Sequence, residues 1–192
     1  RLAGTGCLPV DPGFGGAGPR RPPGTTQRDP GEPARHRGRA LADMVPERIA
    51  LYPQYESHIQ AYATRFNETI PGPVPGTFEI VEELAARAVP LYAITNFGAD
   101  TWAGFAPTYP LFERFRDIVV SGEERCIKPQ PRIYEIALER YARHLPGLKP
   151  EELVFIDDVQ KNIDGCRALG WQGIHHVDVT ATRAALRALG VP

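Results

Sequence analysis

Blocks of apolar and polar positions divide this chain into elements, most sharply over residues 153–170. Leu153, Val154, Phe155 and Ile156 run straight into Asp157 and Asp158. A continuous apolar run suits a strand covered on both faces, as in a parallel sheet. The next twelve residues predict a helix, because Ile163, Cys166 and Leu169 recur at threefold spacing and Gly170 stands where a helix ends. Two carboxylates therefore fall at the carboxyl end of a strand, just before a helix. Open α/β sheets bind their ligands at that place.

The same periodicities predict helices over 40–50 and 55–70, broken apart by Pro53, with Ile59, Tyr62 and Phe66 on one face of the second. Residues 71–76 are a Pro/Gly-rich linker. Thr77 is placed to cap a helix carrying Phe78, Val81, Leu84 and Ala88 on one stripe. A strand over 91–94 leads into Thr95 and Asn96. An aromatic-rich loop and a second strand at 118–121 follow. Pro129 and Pro131 open a helix running to Tyr141, since proline suits a first turn. After the strand at 153–157 and its helix come a last strand at 173–177 and a helix from a Thr180 cap to Leu189. From Thr77 onward strands and helices alternate, which predicts a parallel sheet with right-handed crossovers: a three-layer, Rossmann-like α/β core with helices on both faces.

Residues 1–37 have another texture. The first 40 residues hold nine Gly, seven Pro and seven Arg against three acidic residues, and their large apolar residues are Leu2, Leu8, Val10 and Phe14. Such a segment buries too little to offset its ordering entropy, so it is expected to be irregular or disordered, without a strand. Residues 13–18 match G-x-G-x-x-G, but no strand precedes them and no helix follows, so no dinucleotide site is expected. The predicted organisation is an irregular segment over 1–37, a helical cap-like region over 38–70, and the α/β core over 71–192.

Composition narrows the classes. The 192 residues carry a net charge of −1, which gives no reason to expect nucleic acid or an anionic membrane as partner. No run of 18 apolar residues predicts a membrane span. Cys7, Cys126 and Cys166 are too scattered for a disulfide framework or a zinc site, so a reducing, cytoplasmic setting is the default. The oligomeric state is left open.

Three strand tips carry polar groups, each about one βαβ unit from the next. The Thr95 hydroxyl and Asn96 amide can donate to phosphate oxygens. The Lys128 ammonium is a compact charge able to neutralise a phosphate or a carboxylate nucleophile. Asp157 and Asp158 repel each other unless a cation sits between them and the substrate, and Mg²⁺ is the natural candidate. This is a set for phosphoryl transfer, where catalysis is mostly positioning and charge stabilisation. Singly, each residue has a plainer reading: Thr95 capping a turn, Lys128 a solvated lysine, one Asp capping a helix. Their coincidence on successive tips argues for a site.

Ile94, Thr95 and Asn96 resemble the second motif of the haloacid dehalogenase (HAD) superfamily. Lys128 and Pro129 resemble its third. Phe155, Ile156, Asp157 and Asp158, with Asn162, resemble its fourth. The resemblance covers the chain from Gly38 onward. It implies a sheet of order 5-4-1-2-3 with a small helical cap. It also implies Thr95 and Asn96 at the transferred group, Lys128 steadying nucleophile and substrate, and Asp158, helped by Asp157, binding Mg²⁺. The implied activity is a Mg²⁺-dependent phosphatase of a small phosphorylated metabolite. The alternatives are a 2-haloacid dehalogenase, acting on a halogenated substrate without metal, and a non-catalytic HAD-like binding domain. One departure stands out. The family's nucleophile is an Asp ending a central first strand, and the candidate here, Asp11, lies between Pro9 and Pro12 with no apolar strand before it. Little or no turnover is expected, and, if residues 1–37 cannot supply that strand, a gap in mid-sheet.

Overall fold

The computed structural model describes residues 3–5 as backbone, 36–70 and 72–191. Five strands form its centre: β1 (Ala3–Thr5), β2 (Tyr92–Thr95), β3 (Asp117–Val120), β4 (Leu153–Asp157) and β5 (Gln172–His175). All pair in parallel. β4 is flanked by β1, with Ala3 opposite Leu153, and by β5, with Asp157 opposite His175. β2 pairs with β3, Thr95 opposite Val120. The ladders thus make a three-stranded sheet of order β1-β4-β5 and a two-stranded sheet β2-β3, and β1 comes within 8 Å of β2 between Cα atoms. The expectation that residues 1–37 supply no strand is corrected by β1. Ala, Gly and Thr show no apolar run, and only the long-range ladder with β4 makes them a strand. Asp11 and residues 13–18 lie outside the described residues.

Helices cover both faces, as the alternation predicts. They are α1 (Leu41–Leu51), α2 (Glu56–Thr64), α3 (Thr77–Ala86), α4 (Ala99–Phe105), the single turn α5 (Ser121–Glu124), α6 (Pro131–Tyr141), α7 (Gln160–Arg167) and α8 (Val179–Ala188). β4 is buried along its whole length and divides by alternation. Leu153 and Phe155 pack with Tyr134, Ala137 and Ile163 of α6 and α7. Val154 and Ile156 pack with Val81, Leu84 and Leu186 of α3 and α8. A third cluster joins Leu41, Phe66 and Ile70 to Phe97, Phe105 and Val120. It seats the base of the α1–α2 hairpin on the segments leaving β2 and β3. The Leu41 N–H also donates to Asp100 Oδ2 at the start of α4, 2.7 Å away.

Several ends differ from the pattern. Thr77 is the first residue of α3 rather than its cap, and its buried hydroxyl donates to Val74 O at 2.7 Å. α3 stops at Ala86, so Ala88 lies beyond it in the left-handed region, and the buried stripe is Thr77, Ile80, Val81 and Leu84. α8 is capped by Asp178, whose carboxylate accepts from Ala181 N, because an Asp one residue before the helix reaches its free N–H groups better than Thr180 inside it. Gly170 does close α7: it has φ 85° and donates to Arg167 O, while Trp171 N–H donates to Cys166 O. The apolar face predicted for 55–70 is mostly exposed. α2 buries no residue, and Phe66 is buried only in the 3-10 turn after it.

Candidate functional site

β2 and β4 end side chains at the same edge of the sheet, and the turn carrying Lys128 folds over that edge. Alternation along β4 decides which carboxylate points where. Asp157 shares the face of Leu153 and Phe155, towards α6 and α7, whereas Asp158 lies past the strand end. Asp157 is accordingly buried and Asp158 exposed.

Lys128 Nζ donates to Asp157 Oδ2 at 2.7 Å, with side-chain exposures of 9% and 3%. The ammonium also lies 5.5 Å from the centroid of the Phe155 ring, within cation–π range. Asp157 Oδ1 accepts from Val159 N–H and from Asn162 Nδ2, each at 2.9 Å. Both carboxylate oxygens are thus engaged. A buried carboxylate needs such partners, since an unpaired buried charge is strongly unfavourable.

Asn96 reaches the same turn from β2. Its Oδ1 accepts from Lys128 N–H at 2.8 Å and its Nδ2 donates to Lys128 O at 3.1 Å. Where the sequence suggests the amide donating to phosphate, the side chain instead clamps the Lys128 main chain and thereby aims the ammonium. Two close approaches tighten this edge. A Cβ on Gly122 would lie 2.4 Å from Ala99 N, where the segment after β3 crosses the one after β2. A Cβ on Gly165 would meet Pro129 O at 3.0 Å, where α7 packs under the Lys128 turn. The Lys128–Pro129 peptide is cis.

Thr95 ends β2, half-buried. The structure therefore joins Asn96, Lys128, Asp157 and Asn162 by direct contacts and leaves Thr95 and Asp158 at the neighbouring strand ends. Sequence reasoning missed His175. Its Nε2 donates to Asp158 O at 2.9 Å, and the next residue's N–H donates to Asp157 O at 2.9 Å, so the end of β5 straps the turn that presents Asp158. A histidine pair at a strand tip was the available signal. Lys128 stacking on Phe155 had none, because it depends on how the turn folds back.

Mg²⁺ takes one or two carboxylates and keeps several waters, so it needs no all-protein cage. Among the described residues no group of three His, Cys, Asp or Glu side chains could hold a metal. The exposed Asp158 carboxylate has no partner among the described residues, and Asn162 Oδ1 beside Asp157 is buried with none. One free carboxylate at a strand tip fits an ion that is mostly hydrated and completed by substrate. It does not fit a structural metal.

Over residues 27–175 the chain matches the haloacid dehalogenase-like hydrolase family. It is 28% identical over 110 residues to a sesquiterpene phosphatase, astK, of Aspergillus oryzae, covering 57% of this chain and 54% of that protein. It is 27% identical over 124 residues to acyl-CoA dehydrogenase family member 10 of Mus musculus, covering 64% of this chain and 11% of that protein. The chain thus spans about half of one of these curated relatives and a small part of the other. A HAD family enzyme of Bacteroides thetaiotaomicron, solved with magnesium and inorganic phosphate, superimposes with a TM-score of 0.61 at 21% identity, over 79% of this chain and 75% of that one. No helix among the described residues is long and apolar enough to cross a membrane. The match over residues 27–175, more than half of the sequence, is decisive: this chain belongs to the haloacid dehalogenase-like hydrolase family.

Proposed function

We propose that the chain carries the site of a Mg²⁺-dependent phosphatase acting on a small phosphate monoester. The observation that carries this reading is the division of labour between adjacent carboxylates, with Asp157 neutralised by Lys128 and Asp158 left exposed beside it. A site working without metal has no use for a second, unpaired carboxylate facing an anionic substrate. The name of the Aspergillus relative points the same way.

In this reading the residues divide as follows. Asp158, held through its carbonyl by His175, is the metal-binding carboxylate. Bound there, Mg²⁺ would offset the charge of the phosphoryl oxygens. Lys128, anchored by Asp157 and aimed by Asn96, presents positive charge to the phosphoryl group and to the attacking carboxylate. The Thr95 hydroxyl donates to a phosphoryl oxygen. Residues 38–70 act as a cap whose base rests on the segments leaving β2 and β3. The attacking carboxylate falls to Asp11. β1 runs parallel to β4 with Thr5 level with Phe155, so the chain leaves β1 towards the edge where β4 ends in Asp157. The six residues from Thr5 to Asp11 can span at most about 20 Å.

The experiment is a screen of phosphate monoesters with the purified 192-residue chain, with Mg²⁺ or with chelator, beside Asp11→Asn and Asp158→Asn variants. Chelator-sensitive hydrolysis lost in both variants is the expected result for an active phosphatase. Chelator-resistant turnover of 2-haloacids would replace this reading with a dehalogenase. Mg²⁺ binding at Asp158 with no turnover would leave a non-catalytic binding domain.

A further inference from the structure

Away from the strand tips, α3 and α8 enclose a cleft of ≈ 180 Å³. Its floor is Ile80, Leu84 and Leu186, and its walls are Glu83, Arg87, Arg183 and Arg187. α3 leads directly into the start of β2, and α8 runs back from the end of β5. The later turns of both helices therefore lie towards the amino edge of the sheet, opposite the edge where Thr95 and Asp157 end. The cleft is separate from the candidate active site.

Its charges do not cancel. Glu83 is the one carboxylate lining it, and Arg183 grips both its oxygens, with Nη2 2.7 Å from Oε1. Arg183 first, then Arg87 and Arg187, hold the Glu83 carboxyl below its ordinary range, so all three guanidinium groups act on one point. Arg87 and Arg187 are exposed and have no ion-pair partner among the described residues. A cation near a helix carboxyl end is favoured by the macrodipole, and that accounts for either arginine taken singly. Two helix ends offset only about one unit of charge. Glu79 acts on Arg183 together with Glu83, so Arg183 is matched, and Arg87 and Arg187 are the two guanidinium groups left without an ion-pair partner among the described residues, beside an apolar floor.

We infer that this cleft binds an organic phosphate-class oxyanion, with the oxyanion between Arg87 and Arg187 and a small apolar group on Ile80, Leu84 and Leu186. The guanidinium fork matches phosphate oxygens in pairs, which an ammonium does not. Ile80, Leu84 and Leu186 are 2%, 3% and 4% exposed, so the floor offers a narrow apolar contact, suited to a small group beside the anion. The inference does not depend on the proposed phosphatase activity.

The test is an NMR titration of the ¹⁵N-labelled chain with phenylphosphonate, which is not a hydrolysable ester, and separately with inorganic phosphate. Shifts clustering at 80–87 and 183–187, tighter for phenylphosphonate, are expected. The double variant Arg87→Ala with Arg187→Ala should bind at least about tenfold more weakly while its circular dichroism is unchanged, and the Arg→Lys pair should recover only part of the loss. Equal affinity for the two probes would overturn the role of the apolar floor and leave an oxyanion site alone. Shifts confined to the strand tips, or an unchanged affinity in the double variant, would overturn the site altogether. Signals at Thr95 and Asp158 report the active-site reading independently.

Discussion

Lys128 Nζ and Asp157 Oδ2 meet at 2.7 Å with both side chains almost wholly buried, joining the turn before α6 to the tip of β4. The pair spends one of the two adjacent carboxylates on structure and orientation. The other, Asp158, is left exposed beside it.

Asp157→Asn keeps the shape of the side chain and removes its charge, leaving Lys128 buried without this counter-charge. Breaking a buried pair from one side costs about 3 kcal/mol or more. Chemical denaturation should show that loss, and a change under about 1 kcal/mol would mean that Lys128 is held by other groups.

Asp158→Asn should weaken Mg²⁺ binding far more than Asp164→Asn. Asp164 is exposed on α7 and accepts from Gln160 Nε2 at 2.7 Å. His175→Ala should fall between them, with affinity lowered roughly tenfold as the Asp158 turn loosens, and His175→Gln should restore part of it. Calorimetric titration of the variants decides. Equal affinities for the Asp158 and Asp164 variants would refute the assignment.

Arg140 of α6 binds Asp117 with two nitrogens, reaches Glu124 at 2.7 Å, and donates to Ile118 O at 3.2 Å. These groups are part-buried, and the guanidinium is held well above its ordinary pKa, first by the Asp117 hydrogen bonds. Arg140→Ala removes this partner from Asp117 of β3 and from Glu124 of α5. A loss of about 2 kcal/mol is expected in thermal or chemical unfolding.

Burial pushes the Cys166 thiol up to about 12 and raises that of Cys126 as well. The thiolate is the reactive form, so both stay protonated in the fold at pH 8. Iodoacetamide at that pH should label neither until the chain is unfolded, as read by peptide mass spectrometry. Rapid native labelling of Cys166 would show that the α6–α7 side of the core opens.

The elements were legible wherever a local pattern had a single physical meaning. The run 153–156 suits a strand covered on both sides, and Gly170 stands where a helix closes. The apolar face of α2 stays exposed because threefold spacing shows that a face exists, not that anything covers it. Asp178 rather than Thr180 caps α8 because it reaches the same free N–H groups from a better position. β1 left no trace in the pattern, since three small residues become a strand only when β4 is beside them.

By itself the sequence determined the alternation of elements, the parallel sheet, and which residue types stand at the strand tips, because these follow from periodicity and turn chemistry within a few residues. The tertiary structure decided that Asp157 rather than Asp158 meets Lys128, that Asn96 clamps a main chain, and that His175 holds the Asp158 turn. Those contacts join residues 29, 32 and 17 positions apart. Their geometry depends on how strands align and on which face each residue takes. Propensity along the chain carries no information about which distant partner a side chain will meet.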